Sequence, residues 1–153
     1  MGVNADKLDA FLESHRSIGI DTSVVIYAVE AHPKYLSLVQ QIFRWTRGVK
    51  GSLVTSTITM TEALVKPYQH GDLALVQEFH ALLVTYPHLD WIAPNMHIAD
   101  RAAQIRATHN LRTPDAIHAA TALAAGVTGF ITNDPVFRRV KSLEILVLDD
   151  LLS

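Results

Sequence analysis

The chain reads as an α/β protein built on a parallel, doubly wound sheet, and three observations carry that reading. Short runs rich in β-branched and aromatic residues alternate with longer stretches of helical periodicity. Capping and turn residues separate the two kinds of segment. Hairpin signals are few, so successive strands are joined by helical crossovers, which are right-handed in such sheets.

Each element follows from its residues. Asn4 to His15 spaces Ala5, Leu8, Phe11 and Leu12 along one helix face and predicts a short appended helix packing on the outside. Ser17 to Ile20 predicts the first strand, ending at Asp21-Thr22-Ser23, where a hydroxyl can cap the next helix. Pro33 suits the first turn of a helix whose apolar stripe is Leu36, Val39, Ile42 and Phe43, read as core or dimer seam, with Gly48 as its stop. Ser52 to Ser56 predicts a second strand. Thr57 or Thr59 caps the helix through Glu62, which Pro67 is expected to break.

Asp72 opens a further helix with Val76, Phe79 and Leu83 inward, Leu89 to Ile92 predicts a third strand, and Asn95 caps the helix bearing Ile98, Ala102 and Ile105. Thr113-Pro114-Asp115 is a helix start: a cap, a proline at the first position, then an acid favoured by the helix dipole. That alanine-rich helix stops at Gly126, and Thr128 to Thr132 and Glu144 to Leu148 predict the last two strands. Residues 1–16 are thus an N-terminal helical extension and residues 17–153 one domain, a length that buries a sizeable core.

Composition narrows the class. With 49% hydrophobic and 18% charged residues the chain has the balance of an ordered soluble protein, and no apolar run approaches a membrane span. The first 16 residues lack a signal-peptide core, and the absence of cysteine removes disulfides and thiolate metal sites, so the expected location is cytoplasmic. A formal charge of −2 (13 basic, 15 acidic) is not that of a general nucleic-acid binder. It is compatible with a nuclease whose metals neutralise an acidic pocket. No helical His pair, nucleotide-binding glycine loop or serine-hydrolase elbow occurs.

Four acids converge by topology. Ligands of such sheets bind beyond the carboxyl ends of the strands. Asp21 and Asp134 directly follow the first and fourth strands, Glu62 lies near the start of the helix after the second, and Asp115 opens the helix leading to the fourth. Clustered carboxylates repel one another, and a hard cation with oxygen ligands, Mg²⁺ or Mn²⁺, relieves that repulsion. Such a site predicts phosphodiester hydrolysis by a metal-activated water. Asp90, Asp100, Asp149 and Asp150 read as solvated charges. Arg106, Arg112, Arg138, Arg139 and Lys141 are candidates for a basic rim on RNA phosphates, and His118 for a packing or hydrogen-bonding role.

These residues, in this order, resemble the PIN-domain ribonucleases, and more narrowly the VapC-type toxins of toxin–antitoxin pairs. The matching runs are Ile20-Asp21-Thr22-Ser23-Val24-Val25-Ile26-Tyr27, Thr61-Glu62-Ala63-Leu64, Leu111 to Ala120 around Thr113-Pro114-Asp115-Ala116-Ile117-His118, and Phe130-Ile131-Thr132-Asn133-Asp134. The resemblance implies a three-layer α/β/α fold with a five-stranded parallel sheet of order 3-2-1-4-5. It also implies an Mg²⁺ or Mn²⁺ site and endoribonuclease action, with a cognate antitoxin and a homodimer as partners. By the same resemblance Asp21, Glu62, Asp115 and Asp134 are the catalytic and metal-holding acids, Asp134 acting through water. Ser23 is a phosphate or water ligand, with Thr132 and Asn133 behind it. The helical extension is a departure from the many small toxins that begin close to the first strand. Two other readings are a PIN-like nuclease of RNA maturation and a non-catalytic module binding RNA or protein.

Overall fold

The computed structural model describes residues 4–48 and 51–152. Residues 1–3 of the N-terminal extension and Ser153 lie outside the described residues. In chain order the elements are α1 (Ala5–Glu13), β1 (Ser17–Ile20), α2 (Thr22–Val29), α3 (Leu36–Arg47), β2 (Ser52–Ser56), α4 (Ile58–Gln69), α5 (Leu73–Thr85), β3 (Leu89–Ile92), α6 (Met96–His109), α7 (Thr113–Ala124), β4 (Gly129–Thr132) and β5 (Glu144–Val147). Short 3₁₀ turns cover Pro135–Arg139 and Leu148–Leu151. The five strands are all parallel and lie in the order β3-β2-β1-β4-β5, as the resemblance implied.

Side chains alternate across the strands and so build two cores. Ile18, Ile20, Leu53, Ile131 and Leu146 face one layer, packed with α1 to α5. Val54, Phe130 and Ile145 face the other, packed with α6 and α7. β1 is flanked by β2 and β4, and the chain winds in opposite directions from that pair. The crevice above the carboxyl ends of β1 and β4 is therefore the switch point where ligands of this architecture bind.

α7 sits unusually deep on its face of the sheet. Ala116, Ala119, Ala120 and Ala122 are all buried on it, and Gly19 lies opposite. A methyl group at Gly19 would stand 2.7 Å from the Phe130 ring and 2.9 Å from Ala122 Cβ, so β1 has no side chain at the point of closest approach. Gly126, at φ +75°, ends the helix as expected.

Several local expectations are corrected. Pro67 does not break α4 but lies inside its last turn with its ring buried, where its missing N–H forfeits only one bond. Pro33 lies in a turn before α3, because Ala31 takes a left-handed backbone (φ 48°) and helix begins at Leu36. Val39, Ile42 and Phe43 are core residues. Arg112, not Thr113, holds the cap position of α7, and Thr113 belongs to the first turn. Helix α1 packs on the molecule by one face: Leu8 and Leu12 are 0% and 1% exposed within the first core, and the Asn4 N–H donates to the Leu151 carbonyl at 2.8 Å. No helix of the described residues is long and apolar enough to cross a membrane.

Candidate active site

Asp21 is the cap residue of α2, in extended backbone directly after β1, yet its carboxylate makes no capping bond. Instead Oδ1 accepts the Ser23 hydroxyl and Oδ2 the Thr132 hydroxyl, each at 2.6 Å. Thr132 ends β4, whose Ile131 pairs with Ile20, so the neighbouring strand brings its hydroxyl to Asp21. Burial pushes the Asp21 pKa above its ordinary value, and the two hydroxyls oppose that only in part. The residue is 7% exposed, and among the described residues no lysine or arginine is bonded to it.

Asp115 occupies the first turn of α7, where the helix dipole favours an anion. Its Oδ2 accepts from Arg112 Nε at 3.3 Å, an arginine whose side chain is 78% exposed. Burial again raises the pKa. Arg112 counters it, and the charge of nearby Asp134 adds to it. Asp134 lies at the start of the 3₁₀ turn after β4: its Oδ1 caps Val136 N–H at 3.0 Å, and its own N–H donates to Thr132 Oγ1 at 3.0 Å.

Glu62, on the second turn of α4, is held differently. His118 Nε2 and Thr22 Oγ1 both lie 2.7 Å from its Oε1. The His118 hydrogen bond draws the Glu62 pKa below its ordinary value despite partial burial. Asp21, Glu62 and Asp115 all feel charge at His118, which sits behind them on α7, one turn after Asp115. Of the four acids, Asp115 feels the charge of Asp134, and Arg112 acts on both Asp115 and Glu62.

The remaining candidates divide. Ser23 and Thr132 bond Asp21 directly. Asn133 is turned away from the acids: its amide donates to Tyr27 Oη at 3.0 Å and its carbonyl oxygen accepts Asp149 N–H at 2.9 Å, so it ties α2 to the segment after β5. Arg106 Nε donates to the Leu111 carbonyl, beside Arg112 on the loop before α7. Arg138 pairs with Asp150 and shares a surface hollow with His109, Arg139 and Lys141. A hydroxyl of Thr22 or Ser23 was expected to cap α2, whereas that of Thr22 serves Glu62 and that of Ser23 serves Asp21. The signal available for it was the polar residue between Asp21 and Ser23, and for His118 its place one turn after Asp115.

Among the described residues, no three acidic or histidine side chains stand close enough to share one cation. Two of the four carboxylates are engaged by the chain's own bases, Asp115 by Arg112 and Glu62 by His118. The donor set nevertheless fits a hard divalent ion: the donors are carboxylate oxygens, and Asp21 is buried with only the neutral groups of Ser23 and Thr132 as hydrogen-bond partners.

The PIN domain family model matches residues 18–143. No match was found among curated protein sequences. Solved structures share the fold at low identity. VapBC2 from Rickettsia felis, bound to a DNA fragment from its promoter, aligns with TM-score 0.66 and 15% identity over 86% of this chain and 98% of that one. Mycobacterium tuberculosis VapC20, a sarcin-ricin loop cleaving toxin, aligns with TM-score 0.64 and 14% identity over 80% and 94%. A toxin–antitoxin complex from Klebsiella pneumoniae aligns with TM-score 0.62 and 20% identity over 86% and 97%.

Proposed function

The chain belongs to the PIN-domain family, and on that premise we propose that it is a divalent-cation-dependent endoribonuclease, the toxin of a toxin–antitoxin pair. The observation that carries this reading is Asp21, a buried carboxylate at the switch-point crevice whose hydrogen-bond partners are the neutral groups of Ser23 and Thr132. Carboxylates left with so little counter-charge are suited to an added cation, and Mg²⁺ or Mn²⁺ is the chemistry their oxygens favour.

Asp21, Asp115 and Glu62 are the residues that would hold the ion, with Asp134 acting through water. The bound cation supplies neutralisation of phosphate charge and a lowered pKa for an attacking water. The chain supplies the rest. Ser23 and Thr132 fix both oxygens of Asp21. The N-terminal turn of α7 adds positive potential for the phosphate. Arg112, at the cap of α7, and Arg106, in the last turn of α6, would grip the RNA backbone, with Arg138 as a further candidate. An antitoxin partner is supported by the likeness to toxin–antitoxin structures, and a homodimer is proposed on the family resemblance alone.

The test is cleavage of single-stranded RNA by purified protein with Mg²⁺ or Mn²⁺, stopped by EDTA and absent in Asp21→Asn and Asp115→Asn. RNA bound but left intact under every divalent ion would replace this reading with a binding module. Growth arrest on expression, relieved by a neighbouring small gene product, separates a toxin from a nuclease of RNA maturation.

A further inference from the structure

We infer that His118 and Thr22 are positioning residues that dedicate one oxygen of Glu62 to the protein and leave the other for the acidic site. This rests on the proposed nuclease reading and specifies how one of its acids is presented. Both donors converge on Oε1 at 2.7 Å, and they also lie 3.2 Å from each other, closing a triangle. Among the described residues Oε2 has no hydrogen-bond partner, and the Glu62 side chain is 36% exposed. The carboxylate therefore presents a single oxygen outward, in an orientation set by two donors.

The donors are themselves fixed. Thr22 opens α2, Glu62 lies on α4 and His118 on α7, so the triangle joins the helical layers on both faces of the sheet. Behind Thr22, the Thr59 hydroxyl lies 3.4 Å away, Thr59 is 2.8 Å from Thr55, and Thr55 donates to the Ile20 carbonyl, one residue before Asp21. The same hydroxyl chain that backs Glu62 ends beside the first acid.

The tautomer follows from the surroundings. His118 is 3% exposed, and its Nδ1 is a buried side-chain atom without a hydrogen-bond partner. With the proton on Nε2, the ring donates to Glu62 and only a lone pair is orphaned. With it on Nδ1 alone, a buried N–H would lack an acceptor and two lone pairs would face each other across 2.7 Å, a far costlier arrangement. The ring is therefore a fixed donor to Oε1. Partners of this kind, standing behind a metal-holding carboxylate, typically change metal affinity by about 10–100-fold when removed.

A plain interlayer tie would look similar, so the test must separate orientation from packing. Mn²⁺ affinity is measured by titration calorimetry on the full chain for wild type, His118→Leu, His118→Gln and Thr22→Val, with thermal midpoints recorded for each. Positioning predicts about 10–100-fold weaker binding in His118→Leu, recovery in His118→Gln, whose amide N–H reaches as Nε2 does, and weakening in Thr22→Val. Wild-type affinity in a folded His118→Leu, or a folded His118→Gln as weak as His118→Leu, overturns it. Should His118→Leu not fold, Thr22→Val decides the question alone. A ¹⁵N imidazole spectrum of wild type reads the ring directly: an Nε2 without a proton overturns the inference even if RNA is cleaved. A proton on Nε2 in a protein that binds no Mn²⁺ leaves the triangle standing and removes the nuclease reading instead.

Discussion

Thr132 donates its hydroxyl proton to Asp21 at 2.6 Å while accepting the Asp134 N–H at 3.0 Å, so one side chain at the end of β4 sets two acids at once. Thr132→Val keeps shape and burial but removes both bonds. It is expected to weaken Mn²⁺ binding and RNA cleavage by about 10–100-fold, whereas Thr132→Ser retains most of each. Calorimetry and initial rates on the two variants check this. Equal activity in Thr132→Val would show that the strand end does not orient the acids.

The cation-free protein carries strain at Asp21. Its folded pKa is raised by burial, so the folded state holds that proton more tightly than the unfolded chain. Stability from this group is therefore full below the unfolded value of about 3.9 and is lost as pH rises through the raised folded value. Asp115 contributes with the same sign, and Glu62, with a lowered pKa, with the opposite one. Asp21→Asn is expected to abolish activity yet melt higher than wild type in EDTA, by a margin that widens as pH is raised from about 4. Thermal unfolding across pH measures it, and saturating Mn²⁺ should stabilise wild type selectively. A margin that shrinks with rising pH would contradict the sign.

Arg112 is expected to act in two directions. It neutralises Asp115 and also faces solvent, so Arg112→Ala should tighten Mn²⁺ binding while weakening RNA binding. The first effect is small, at most about fivefold, because exposed pairs contribute only ~0.2–1 kcal/mol. The second should lower the slope of log affinity against log salt by about 0.7, the loss of one phosphate contact on a single strand. Fluorescence anisotropy with Asp21→Asn protein, which leaves RNA uncut, gives the slope. Both affinities falling together would indicate a structural role.

Helix α1 is expected to be indispensable to folding. Leu8, Phe11 and Leu12 are buried in the first core, and burying such side chains is worth roughly 1.5–3 kcal/mol each. Leu8→Ala alone should cost about 2–5 kcal/mol, read from the urea midpoint. Removal of residues 1–13 should leave no cooperative unfolding transition. A truncated chain that unfolds cooperatively near the wild-type midpoint would make α1 a detachable extension.

What could be read in advance was whatever depends on chain order. Asp21 and Asp134 follow strands directly, so periodicity alone brings them to the same edge, and the strand order followed from the resemblance. What could not be read depends on rotation and depth. His118 meets Glu62 because α7 and α4 approach from opposite layers, a relation absent from either helix's own sequence. Asn133 stands beside Asp134 in sequence but, in the bend after β4, bonds Tyr27 instead of joining the acids. Pro67 was misread because its cost depends on how close the helix end lies.

The missing side chain at Gly19 links the fold to the chemistry in an unexpected way. It is β1's bare spot that lets α7 lie against the strand, and α7 carries both Asp115 and His118. One added methyl group there would lift that helix and shift the surroundings of Asp115 and of Glu62, which His118 holds, in a single stroke. The spacing of the reactive groups is thus calibrated from beneath, by the thinnest residue in the sheet.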